Sequence, residues 1–154
     1  MNKALPYLEK IFLIALLVGL LLSYFEIVNG GLTNISLAGL GVTFFLSAFS
    51  PLDVGSTEGE PFGFNELLGL AIVPKVLGTS SAVGIFGILF YSLDFGNNGY
   101  IRLLTIGGST IILCALIFGY LRITETKYFK KSIIGLFKSI PILIAIYYVL
   151  FMAN

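Results

Sequence analysis

The chain has 154 residues, of which 57% are hydrophobic and 11% are charged, and its mean hydropathy is +1.00. Ordinary globular proteins carry about 25% charged residues, so this chain has too few to cover a water-facing surface. It has no histidine and one cysteine, Cys114, which excludes intramolecular disulfides and His/Cys clusters for zinc, haem or iron–sulfur centres. Nine basic against eight acidic residues leave no basic field for nucleic acid. The composition therefore predicts an integral membrane protein without a metal centre or a nucleic-acid partner.

Five apolar segments are long enough to cross a bilayer, which takes about 20 helical residues. We predict an all-α membrane protein with a single integral membrane domain, whose spans are separated by turn-forming residues. A signal peptide is the alternative for the first span, because Lys3 and Lys10 precede its apolar stretch. The predicted spans are 8–28, 32–49, 75–93, 100–121 and 133–151, with Pro141 a kink in the last.

The connections between the spans differ in charge. Residues 53–66 carry four acids and no base, which predicts the main water-exposed loop. Residues 64–73 are too short to cross the membrane alone, so we predict a short interfacial or re-entrant segment there, followed by Pro74 as a first-turn residue of the third span. Residues 122–131 form a basic loop before a last helix at 132–152. Because cytoplasmic loops collect Lys and Arg, we predict a bacterial inner-membrane protein with a cytoplasmic N terminus and a periplasmic C terminus.

A shift of 68 residues aligns the chain with itself without gaps. It superimposes a first repeat at 8–50 on a second at 75–121 and places Glu26 over Asp94 in the same predicted turn. Two spans per repeat make the repeats parallel, related by an axis along the membrane normal. Inverted repeats are the alternative if residues 64–73 cross the membrane.

Few charged residues lie near the predicted spans, and these are the candidate ion-path or ion-pair residues. Glu26 and Asp94 close the first helix of each repeat, where two carboxylates would collect a cation or relay protons, or would only end the helices at the water interface. We expect Arg102 to form an interfacial ion pair with Asp94 across the second hairpin. We expect Lys75 to snorkel to the interface or, alternatively, to line a substrate path with Glu66 as its counter-charge.

Small residues recur at every fourth position in three spans, which lets helix backbones approach closely. We predict ordinary bundle packing at these positions, and a dedicated dimer face is the alternative. Cys114 falls in mid-span among Ile and Leu and is expected to be buried. The sequence has no histidine or other base positioned to activate a hydroxyl such as that of Ser109. We therefore predict a protein that is not an enzyme and uses no cofactor. The predicted packing residues are Ala15, Gly19 and Ser23, then Ser80 and Gly84, then Ala115 and Gly119.

One part of the chain resembles a known family. Gly-Leu-Leu-Leu-Ser-Tyr-Phe at 19–25, Asn-Gly-Gly at 29–31 and Phe-Phe-Leu-Ser-Ala-Phe-Ser-Pro at 44–51 are similar to the N-terminal membrane hairpin of the gliding-motility protein GldL and its relatives in Bacteroidota. The resemblance covers about a fifth of the chain and implies kinship among small envelope membrane proteins. It does not carry over that family's proton-driven motor, which is thought to use a glutamate in the second helix, because no acid lies between Thr33 and Ser50.

Two functions remain open from the sequence. The first is a non-enzymatic structural or accessory subunit of a larger envelope membrane complex, with the lipid bilayer and other membrane proteins, or further copies of itself, as partners. The second is a small ion or solute channel or transporter built on the repeat, with Glu26, Asp94 and Lys75 along its path. A membrane enzyme that acts on lipid is a distant third.

Overall fold

The computed structural model describes residues 4–26, 30–50, 63–95, 98–123 and 129–152, with the backbone alone described at 66 and 129–132. Within these ranges the regular structure is helical, and five helices are long and apolar enough to cross a membrane. The prediction of an all-α, multi-pass membrane protein is confirmed. The helices are α1 (Leu5–Tyr24), α2 (Gly31–Ala48), α3 (Phe64–Leu67), α4 (Val73–Ser92), α5 (Gly99–Ile123) and α6 (Phe129–Met152), and a π-helical turn (Leu68–Ile72) joins α3 to α4.

Sequential spans run in opposite directions. The Ser92 hydroxyl at the end of α4 donates to Asn34 Oδ1 near the start of α2, at 2.7 Å. At the other end of the same pair, a Cβ atom on Gly78 would lie 2.9 Å from the Ala48 Cβ. The start of each helix therefore meets the end of the other, and α2 and α4 are antiparallel.

The last helix runs parallel to α4. Ser81 and Ser139 are hydrogen-bonded at 2.9 Å, and Gly84, further along α4, lies against Ile142 and Ile146, further along α6. Helix α6 continues through Pro141, the predicted kink position. Helices α1, α4 and α6 point one way and α2 and α5 the other, so the start of α1 and the end of α6 lie on opposite sides of the bundle, as five consecutive spans require.

Helix α4 is the centre of the bundle and contacts α2, α5 and α6. Leu77 and Ile85 of α4 are almost fully buried, as are Leu104 and Ile111 of α5. In lipid these contacts stabilise the bundle through close packing, because hydrocarbon tails are as apolar as the side chains. Helix α1 lies at the edge, where it packs on α2 and buries Gly19 alone.

The predicted repeat is present in the geometry of both hairpins. The 68-residue shift carries the first and last residues of α1 onto those of α4, and both helices have 20 residues. Their ends are closed by equivalent hydrogen bonds, from Phe25 N–H to Leu21 O at 3.1 Å and from Leu93 N–H to Leu89 O at 2.9 Å. Since α1 and α4 also run in the same direction, the repeats are parallel.

The structure corrects the interpretation of residues 64–73. They do not form a separate interfacial or re-entrant segment, because α3, the π-helical turn and α4 make one continuous helix from Phe64 to Ser92. The ring of Pro74 would clash with the carbonyl four residues earlier in a regular α-helix. The π-helical turn, in which Val73 N–H donates to Leu68 O, lies directly before the proline and widens the helix there. The proline therefore lies inside the third span and does not start it.

Candidate functional site

Glu26 and Asp94 lie at the same end of the bundle, directly after α1 and α4. Both are exposed and both have positive φ, 57° and 50°. Their N–H groups donate to the carbonyls of Ser23 and Tyr91, each at 3.1 Å. A residue in this left-handed conformation commonly closes the last turn of a helix. The backbone of each acid thus terminates a helix, while its side chain faces the surroundings.

Arg102 lies in the first turn of α5, at the same end of the bundle, and is exposed. The expected ion pair between Arg102 and Asp94 does not form in the part of the chain that the structure describes. Both side chains are exposed, and a pair at an exposed surface gains too little to hold two side chains in one geometry.

Lys75 lies at the opposite end of α4 from Asp94 and is exposed. The helix between them places the two residues about 30 Å apart, at 1.5 Å per residue. The proposed path residues Glu26, Asp94 and Lys75 are therefore not brought together. The side chain of Glu66, the predicted counter-charge of Lys75, lies outside the described residues.

The ion pair that the structure does describe joins Glu9 of α1 to Lys138 of α6. Lys138 Nζ donates to Glu9 Oε2 at 2.7 Å, and the side chains are 18% exposed for Glu9 and 46% for Lys138. The pair lies in a cleft of about 350 Å³ at the end of the bundle where α1, α4 and α6 begin. The hydroxyl-bearing residues Ser47, Ser50 and Ser139 also line this cleft. Polar groups thus converge at one end of an otherwise apolar bundle.

Sequence reasoning missed this cleft. Neither Glu9 nor Lys138 is among the ion-path or ion-pair residues that the sequence predicts. The available signal was a carboxylate inside an apolar helix, which calls for a partner. The partner lies 129 residues away, so only the packing of α6 beside the start of α1 reveals it.

The buried hydroxyls in the centre of the bundle have partners. Ser139 Oγ donates to Gly135 O at 3.0 Å, and Ser81 Oγ lies 2.9 Å from Ser139 Oγ. Because the single hydroxyl hydrogen of Ser139 is used on Gly135, Ser139 accepts its second hydrogen bond from Ser81. Ser80 Oγ donates to Val76 O at 2.6 Å within α4. The Ser81–Ser139 contact ties α4 to α6. Among the described residues, the Thr33 hydroxyl of α2, which lies against Gly19 of α1, is buried without a hydrogen-bond partner.

The small residues singled out in the sequence fall at different places. Gly19 lies against α2, where an added Cβ would be 3.0 Å from Thr33 Oγ1. Gly84 lies against α5, where a Cβ on Gly107 would be 2.8 Å from the Gly84 nitrogen, and Ser80 lies one turn away on the same buried face. Ala15 and Ala115 are half-buried, Ser23 and Gly119 are exposed, and Cys114 is buried as expected.

A second concave surface, which we call the α5–α6 groove, faces outward between those two helices. Its volume is about 480 Å³ and its lining is almost wholly apolar. The α5 wall of the groove includes the small residues Gly108 and Ser109. Small residues allow another helix to approach closely in a membrane. The groove is lined by Leu104, Thr105, Gly108, Ser109 and Ile112 of α5 and by Leu143, Ile144, Ile146, Tyr147 and Leu150 of α6.

Comparisons with protein-family models, curated proteins and solved structures found no match to this chain. The resemblance of residues 19–51 to the GldL membrane hairpin stays a prediction. The five long apolar helices indicate a multi-pass membrane protein, whose apolar outer surfaces contact lipid.

Proposed function

We propose that this protein is a non-enzymatic structural or accessory subunit of a larger complex in the bacterial inner membrane. The α5–α6 groove carries the proposal. Lipid tails cover an apolar surface of any shape, but a groove with small residues on one wall fits a packed helix especially well. The subunit would contribute this surface, and partner proteins would supply the chemistry.

The interior of the bundle supports assembly over conduction. Between the two ends of α4, the described core consists of closely packed apolar side chains and of serines whose hydroxyls are hydrogen-bonded. The ionisable residues discussed above lie at the two ends of the bundle. A route for ions through a single copy would have to cross this packed layer, whereas a subunit needs no such route.

The distribution of bases supports an orientation with the N terminus in the cytoplasm. Lys10 and Lys75 lie within the first two turns of α1 and α4, Lys138 lies in the third turn of the parallel α6, and Arg122 lies in the last turn of the antiparallel α5. All four therefore lie in one half of the bundle, and Arg102 lies in the other. Lys and Arg collect on the cytoplasmic side.

The Glu9–Lys138 cleft favours a second candidate, a small ion or solute transporter. It combines a partly buried carboxylate, an ammonium group and hydroxyls on three separate helices. Such a transporter would lose flux in liposomes when Glu9→Gln is introduced, whereas a subunit would keep its place in the complex.

The test of the proposed function is purification of the tagged protein from its native membrane in mild detergent, followed by mass spectrometry of the material that comes with it. Wild type is compared with Ser109→Phe, which fills the groove, and with Leu113→Phe, which places the same side chain at an exposed position of α5 outside the groove lining. We expect stoichiometric membrane proteins with wild type and Leu113→Phe, and their loss with Ser109→Phe. Purification of wild type and of both variants without companions would contradict the proposal.

A further inference from the structure

The α5 surface of the α5–α6 groove has an equivalent on α2, and α4 covers that equivalent surface. The 68-residue shift places Gly41 and Phe44 of α2 onto Ser109 and Ile112 of α5. Gly41 and Phe44 are buried, with Phe44 only 8% exposed, because α4 packs over them. Ser109 and Ile112 line the open groove, and Ile112 is 51% exposed. The second repeat thus presents the surface that α4 covers in the first repeat.

Helix α1 carries the face that is equivalent to the α4 face packed on α2. A Cβ atom on Gly41 would lie 3.0 Å from the Phe86 ring, so the face of α4 around Phe86 is what covers α2. The same shift places Phe86 onto Val18 and Ala82 onto Ile14. Ala82 is 1% exposed, whereas Ile14 is 60% exposed. The first repeat therefore presents, uncovered, the face that α4 buries against α2.

We propose that the α5–α6 groove is filled by α1 of a second copy of this chain, packed on α5 as α4 packs on α2. This inference rests on the proposed function, because it names the partner of the groove that carries it. Helix α5 repeats α2, and α1 repeats α4, so both halves of an interface that already exists within the chain are exposed on its two edges. The contact between copies continues the α2–α4 interface from one chain to the next.

Charge at one end of the proposed interface is complementary. Within the chain, Ser92 at the end of α4 donates to Asn34 at the start of α2. The shift puts Arg102 at the place of Asn34 and Tyr24 at the place of Ser92, with Glu26 two residues beyond Tyr24. Arg102 and Glu26 are both exposed within one copy. Packing of α1 in the groove brings these opposite charges to the same end.

The two surfaces differ, so the contact is head-to-tail. Such an interface continues from copy to copy, and the rotation between copies decides whether a ring closes. At the end where Gly78 and Ala48 approach closely, the equivalent residues Lys10 and Leu116 are larger. The helices of neighbouring copies therefore diverge there, which lets the Lys10 ammonium reach water.

Cysteine cross-linking in the native membrane tests the proposal on the full chain in a Cys114→Ala background. The pair Val18→Cys and Ser109→Cys stands at the positions equivalent to Phe86 and Gly41 and is treated with a short bifunctional thiol reagent. The matched control is Leu13→Cys with Thr110→Cys, positions that lie about 140° and about 100° around the same helices from Val18 and Ser109. Each single-cysteine variant is treated in parallel.

We expect a ladder of covalent dimers and larger species from the Val18→Cys/Ser109→Cys chain, and none from the control pair. Mixed single variants should give only a dimer that contains one of each. Arg102→Glu should lower the ladder yield, by up to about fivefold for an exposed ion pair, and Glu26→Arg in the same chain should restore it.

Three results would overturn the inference. The first is a dimer from Val18→Cys alone, which means a symmetric contact between two α1 helices. The second is equal cross-linking of the control pair. The third is cross-linking of Ser109→Cys only to a different protein. The last result leaves the proposed subunit function standing while removing the second copy from the groove. Absence of any cross-link, together with purification of the protein alone, contradicts both.

Discussion

Glu26 and Asp94 hold the same left-handed backbone conformation at equivalent positions 68 residues apart, with φ of 57° and 50°. Each closes the long helix that opens its repeat, α1 or α4, and begins the turn toward the second. Asparagine and aspartate tolerate this conformation better than glutamate does, and glycine adopts it without a steric penalty. The shared geometry identifies the turn as a property of the repeat.

Replacement of these residues by glycine should stabilise the protein. We expect Glu26→Gly to raise the free energy of unfolding by about 0.5–1 kcal/mol, and Asp94→Gly to raise it by less, because glycine relieves the strain of positive φ. Thermal unfolding in detergent measures both changes. Glu26→Ala is the control, since it removes the charge and keeps the strain; an equal gain from Ala would show that charge, and not backbone conformation, is responsible.

The close approach of α4 and α5 should not tolerate a side chain at Gly107. A Cβ atom there would lie 2.8 Å from the Gly84 nitrogen and 3.0 Å from the Ser80 carbonyl, and backbone atoms cannot move aside. We expect Gly107→Leu to destabilise the bundle by about 3 kcal/mol or more, at the upper end of overpacking effects. Gly119→Leu is the matched control on the same helix, since nothing lies within 4 Å of its Cβ position. Comparable losses of folded protein from both variants would contradict this packing.

The two serines that join α4 and α6 should respond unequally to alanine. Ser139→Ala removes the acceptor of the buried Ser81 hydroxyl, whereas Ser81→Ala leaves Ser139 bonded to Gly135 O. We expect a loss of about 1–2 kcal/mol for Ser139→Ala and about 0.5 kcal/mol for Ser81→Ala, because an unsatisfied buried hydroxyl costs more than a missing one. Unfolding in detergent compares them. The reverse order would mean that Ser81 finds another acceptor.

The Glu9–Lys138 pair should contribute modestly to stability. A double-mutant cycle with Glu9→Gln, Lys138→Met and the double variant isolates the interaction. We expect a coupling energy of about 0.5–1 kcal/mol, because Lys138 is 46% exposed and solvent screens the pair. The coupling should fall as salt is raised. A coupling that does not change with salt would place the pair in a drier environment than the cleft provides.

Local sequence patterns were sufficient for the helices, because a bilayer demands about 20 apolar residues per span and tolerates few charges. The prediction of a separate segment before Pro74 was wrong, because a proline inside an apolar run is as consistent with a helix start as with a π-helical turn in mid-helix. The continuous helix from Phe64 to Ser92, which buries Leu70 and Val73 in the bundle, distinguishes the two.

The sequence by itself determined the number of spans, the repeat and the end of the bundle at which the bases lie, because hydrocarbon thickness and chain periodicity act locally along the chain. The tertiary structure decided which distant residues meet. It paired Glu9 with Lys138 and left Arg102 apart from Asp94, and it buried α4 while exposing its repeat partner α1. These contacts depend on how helices far apart in sequence pack side by side, and no pattern within one helix specifies that arrangement.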